Sequence, residues 1–208
     1  MSRAERGGRI NEPTEPTANS GQVDPTKANE TEQRKRLVEA FWAIYNKNQD
    51  EGYRQVLRRR IYGILFTLMY NPGVEFVVNQ EEGNVYFSTN SMLYKPNQAV
   101  GLVPVDTNEG FEEKLRADQE NLEMEKQKLL NEQRLYGLAE NKILPTVQDF
   151  PDGSDVKTSF LQTFNNLNRR LQAKLESLKT QEQGIEKAKL AKEIGDSLLE
   201  QIKQGNST

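Results

Sequence analysis

The most apolar run in the chain, Ile61–Tyr70, strongly limits how the protein can fold. As a helix, ten residues span only about 15 Å, which is half of a bilayer core, so the run predicts a buried helix rather than a membrane span. Asn71-Pro72-Gly73 follows at once. It predicts a helix end, because proline cannot continue the hydrogen-bond ladder and glycine accepts left-handed geometry. We therefore expect no membrane partner.

The residues before this run predict two amphipathic helices. Tyr53 and Leu57 fall on the helical face that continues into Ile61, so we expect one uninterrupted helix from about residue 53 to 70. Apolar residues at spacings of three and four predict an earlier helix that ends near Asn48. Asn29 has the side chain of a helix N-cap and is the expected start of that helix.

The residues after the apolar run predict a β-hairpin. The β-branched and aromatic runs Val74–Val78 and Val85–Ser88 are separated by a short polar segment in which Gly83 supplies turn geometry. A third short strand is expected around Ala99–Val103. Because a lone hairpin is marginal in water, we expect it to pack on the preceding helices.

The last hundred residues predict two long helices with narrow apolar stripes. Leucine recurs every seven residues in the first, and the second keeps the same spacing; the candidate helix-association stripe is Leu115, Leu122, Leu129, Phe164, Leu171, Leu178 and Ile185. Two alternatives remain open, an antiparallel hairpin within one chain and a coiled coil between chains. Glycine is unfavourable inside helices, so Gly184 and Gly195 predict a frayed or kinked second helix.

Together these elements predict a predominantly helical α+β fold. Residues 1–28 are polar and contain three prolines, which is typical of a disordered arm. Residues 29–105 form an expected head of two helices and a hairpin, and residues 106–208 hold the long helices, joined by a loop at 143–155. The hydrophobic fraction of 35% is low for a globular domain, which favours this extended organisation.

An arginine cluster is the sharpest local candidate for a partner contact. Arg54, Arg58 and Arg59 lie on the expected second helix, and guanidinium groups suit phosphate or carboxylate recognition through their fixed fork of donors. The alternative is a solvated helix face that nearby carboxylates such as Glu51 neutralise. The formal net charge of −3 does not point to nucleic acid as a general partner.

The composition argues against an enzyme. The chain contains no cysteine and no histidine, so it lacks thiolate nucleophiles and the side chain best suited to proton transfer near neutral pH. It contains neither a phosphate-binding glycine loop nor a dinucleotide fingerprint. We therefore predict no catalytic, cofactor-binding or metal-binding residues.

These features favour a non-enzymatic structural or assembly subunit of a large multiprotein complex. By analogy, a phage virion component of the neck, baseplate or scaffold type is the preferred example. Its expected partners are other protein subunits, which include further copies of the same chain in a homo-oligomer. The N-terminal residues lack an apolar signal segment, so a cytoplasmic or virion location is expected rather than secretion. The alternative is a regulatory or nucleic-acid-associated adaptor that uses the arginine cluster.

Overall fold

The computed structural model describes residues 25–88 and 101–205. It is a predominantly helical α+β fold, as the sequence predicts. In chain order the elements are α1 Pro25–Tyr45, α2 Glu51–Arg58, α3 Ile61–Tyr70, β1 Phe76–Asn79, β2 Asn84–Ser88, β3 Leu102–Pro104, α4 Asn108–Leu138, a π-helical turn Ala139–Ile143, α5 Leu144–Gln148 and α6 Asp155–Lys203. The expected arm at residues 1–28 lies outside the described residues, apart from the last four, which begin α1.

Helix α1 forms where the apolar spacing predicts it, although it starts earlier. It begins at Pro25, so Asn29 lies inside the helix and does not cap it. Phe41 and Tyr45 of its apolar stripe are almost fully buried, and their rings stack with centroids 5.7 Å apart. The stripe therefore belongs to the core.

The expected single helix from residue 53 to 70 is wrong. The helix is interrupted at Arg59-Arg60, which separate α2 from α3. Asn108 stabilises this break, because its backbone N–H donates to the Arg59 carbonyl at 2.8 Å and its side-chain amide donates to the Arg58 carbonyl at 2.9 Å. These bonds satisfy carbonyls that a helix end leaves without partners. Since Asn108 is about fifty residues away, local spacing could not reveal the break.

The predicted hairpin is confirmed, and a third strand extends it. Strands β1 and β2 pair antiparallel, with Phe76 opposite Phe87, and Gly83 takes a positive φ of 65° in the turn. Strand β3 pairs antiparallel with β2 on its other side, which gives the order β1-β2-β3. Residues 99 and 100 of the expected third strand lie outside the described ranges. The pairing continues past β3, because the backbone N–H of Val105 donates to the Val85 carbonyl at 2.8 Å.

Helices α4 and α6 form an antiparallel hairpin within the chain. Lys192 lies 3.1 Å from Glu112 near the start of α4, whereas Lys126, further along α4, lies 2.7 Å from Glu182. Residue numbers therefore increase along α4 while they decrease along the facing part of α6, which is antiparallel packing. Part of the expected loop at 143–155 is helical as α5, and Ser154, not Asp155, is the N-cap of α6.

The C-terminal third of α6 is part of the head, which the sequence did not predict. Helix α6 runs unbroken through both of its interior glycines. At Gly195 it approaches α3 so closely that a Cβ atom there would lie 2.5 Å from Cδ1 of Tyr62. The glycine therefore marks a close helix crossing and not the expected kink. Ala191 and Leu198 on the same face are fully buried.

The core of the head contains residues from both sides of the expected boundary at residues 105/106. Ile61, Ile64 and Leu65 of α3 are fully buried in the same cluster as Leu198. On the surface, the Arg34 guanidinium makes a two-bond contact with the Glu193 carboxylate, at 2.9 and 3.0 Å, which joins α1 to α6. This pair is exposed, so its contribution to stability is modest.

The close crossing makes a stability prediction. Gly195→Ala should lower the free energy of unfolding by roughly 1–3 kcal/mol, because the added methyl group overpacks against Tyr62. Gly184→Ala is the matched control in the same helix: its added Cβ would meet only the Tyr70 hydroxyl at 3.8 Å, an ordinary contact. It should raise stability by up to about 1 kcal/mol through helix propensity. Urea unfolding of both variants measures the difference, and equal effects would contradict the crossing.

Candidate interaction surfaces

The predicted arginine contacts lie in α2 and at its C-cap, and two of them contact one tyrosine of α1. The guanidinium carbon of Arg54 lies 5.1 Å from the centroid of the Tyr45 ring. Arg54 also donates to the Asn48 carbonyl and to the Gln49 side chain. Arg58 donates to the Tyr45 hydroxyl at 3.3 Å and forms an ion pair with Glu51. The expected neutralisation by Glu51 thus applies to Arg58.

Arg59 and its neighbour Arg60 have opposite environments. Arg59 is exposed at the C-cap of α2, and the described part of the chain shows no ion pair to its side chain. Arg60 reaches into the head, where it donates to the carbonyls of Gly83 and Val105 and to the side chain of Asn84. It therefore joins the start of α3 to the β1–β2 turn and to the end of β3. Sequence reasoning did not single out Arg60 for this role.

The cluster retains positive charge after these contacts are counted. Among the described residues, Glu51 is the one carboxylate paired with Arg54, Arg58 or Arg59. The acceptors of Arg54 are neutral oxygens, and Arg59 faces solvent. Guanidinium groups without a carboxylate partner remain able to bind an anion.

The candidate helix-association stripe is buried within the chain, so the hairpin alternative is the one that the structure shows. Six of its residues are buried between α4 and α6: Leu115, Leu122, Leu129, Leu171, Leu178 and Ile185. Phe164, the seventh, is partly exposed and stacks on Tyr136 with ring centroids 4.5 Å apart. The stripe and the arginine cluster lie on different elements and do not form one site.

A second apolar stripe, which the sequence analysis missed, follows the outer face of α4. We define the outer stripe as Met124, Asn131, Leu135 and Leu138. At about 100° per residue, these positions lie opposite the buried stripe. Met124 is 54% exposed, Leu135 66% and Leu138 46%, so about half or more of each residue faces solvent. The seven-residue spacing of Met124, Asn131 and Leu138 was the available signal, but Asn131 is polar and the leucine repeat on the other face is stronger.

The closed end of the hairpin carries further exposed apolar side chains. Ile143, Phe150 and Val156 are 42–58% exposed around the turn that joins α5 to α6. Large apolar groups of this kind mark interaction sites when they cluster on a surface.

A polar network locks α6 against α3 and α4. The Tyr62 hydroxyl donates to the Asp196 carboxylate, and the Lys192 ammonium lies 2.9 Å from Asp196 and 3.1 Å from Glu112. Burial, together with this hydrogen bond, raises the pKa of Tyr62 to about 12. Burial acts to raise the pKa of Asp196, but the bonds from Tyr62 and Lys192 outweigh it and lower that pKa. The hydrogen bond to Asp196 raises the pKa of Lys192.

A groove of about 320 Å³ lies between α3, α4 and the strands. Phe66, Phe87 and Phe111 supply much of its apolar wall. Its polar side chains include Lys114 and Asp106, which lie 3.9 Å apart. This lining favours apolar packing over acid–base chemistry. The groove combines residues far apart in the chain, so spacing could not reveal it.

Within residues 25–88 and 101–205 there is no group of three or more acidic, histidine or cysteine side chains arranged to hold a metal ion. None of the helices in these ranges combines the length and the apolar character needed to cross a membrane. Comparison of the chain with protein-family models, with curated proteins and with solved structures gave no match.

The polar network makes a pH prediction. Because the pKa of Tyr62 is about 12 in the folded protein and about 10 in an unfolded chain, the unfolded state loses this proton first. The phenol therefore stabilises the fold below pH ~10, and this contribution is lost as the pH rises towards about 12. In urea unfolding across this window, wild type should lose stability relative to Tyr62→Phe.

Tyr70→Phe is the control, because Tyr70 is 47% exposed. Its stability should follow that of wild type over the same pH range. Parallel curves for wild type and Tyr62→Phe would contradict the assigned hydrogen bond.

Proposed function

We propose that the protein is a non-enzymatic assembly subunit that binds other protein subunits through the outside of its helical hairpin. The observation that carries this proposal is the set of large apolar side chains exposed on the outer stripe and at the closed end. Burying such groups in a protein interface contributes about 25 cal/mol for each Å² removed from water. The buried stripe between α4 and α6 keeps the hairpin in one shape, so it presents these groups on a preformed surface.

The charge pattern of the hairpin supports the same function. Most ion pairs on its surface join residues three or four apart on one helix, as Lys179 does with Glu176 and Lys189 with Glu186. These pairs keep most of the hairpin surface well hydrated, whereas the outer stripe and the closed end are apolar. A phage virion component of the neck, baseplate or scaffold type remains the example that we propose by analogy, because such proteins work through subunit contacts.

Native mass spectrometry of the protein isolated from its natural source tests this function. We expect a complex of fixed stoichiometry with other subunits. The double variant Phe150→Ser/Val156→Ser should reduce incorporation at least tenfold, because it removes apolar groups from the closed end. The control Asp149→Asn/Thr158→Ser changes exposed polar residues at the same end and should incorporate normally. Isolation as a lone monomer would contradict the proposal.

We propose as a second candidate an adaptor that binds an anionic partner through Arg54, Arg58 and Arg59. The observation that favours it is the charge left on Arg54 and Arg59, which show no carboxylate partner in the described ranges. Arg60 does not belong to this surface, because backbone carbonyls occupy its donors.

Binding to single- and double-stranded nucleic acid at several salt concentrations tests the adaptor. Arg54→Gln/Arg58→Gln/Arg59→Gln should weaken binding and flatten its salt dependence, because fewer counterions are released. A control with Arg116→Gln and Arg134→Gln changes exposed arginines of α4 and should retain the salt dependence. Absence of binding by wild type at low salt would exclude the adaptor for these partners.

A further inference from the structure

We draw no further inference here: the strongest candidate, the apolar groove of about 320 Å³ between α3, α4 and the strands, carries no proposal, because the charged side chains at its rim, Asp106, Lys114 and Asp118, are exposed and nothing in the structure shows what covers it.

Discussion

The structure depends on the close crossing of α6 over α3 at Gly195. Side chains at most helix contacts keep two axes 8–10 Å apart, but the absence of a Cβ atom lets the Tyr62 ring pack against the backbone of α6. Ala191 and Ala188, one and two turns before Gly195, are also small and buried. This series of small residues brings one end of the long hairpin into the head. Helix α3 is then packed against α6 as well as against α1 and α4.

The polar network at the same crossing explains why Lys192 occupies a position where the heptad pattern expects an apolar residue. Its ammonium lies between Asp196 and Glu112, and it is 5.2 Å from the Tyr62 ring centroid. Ionic groups that are partly shielded from water stabilise a fold only when their partners are well placed. The network therefore helps to fix the position of α6 relative to α3 and α4 at this crossing.

The sequence predicts those elements whose partners are close in the chain. The hairpin of β1 and β2 and the stripe of Leu115, Leu122 and Leu129 follow from spacing alone, because their periods match strand and helix geometry. The break after Arg59 could not be predicted, since it depends on Asn108. Gly195 was interpreted through its intrinsic helix propensity, whereas tertiary packing decides its role.

The candidate surfaces show the same limit. The arginine cluster was visible as a run of charge, but its members differ by the acceptors around them. Arg60 is held by carbonyls from the β1–β2 turn and from the end of β3, and its neighbour Arg59 is exposed. Local sequence gives adjacent arginines equal weight. The outer stripe of α4 had a detectable period. Its exposure could be inferred only once the opposite face of α4 was known to pack against α6.

The participation of α6 in the head also has a consequence for biosynthesis. A ribosome makes α3 long before it makes Leu198, although both belong to one buried cluster. Until the last part of α6 emerges, Ile61 and Leu65 lack part of their cover. Contacts between residues so distant in sequence slow folding, and the exposed apolar surface favours aggregation in the meantime. The first two hundred residues must therefore be made before the core that α3 belongs to can close completely.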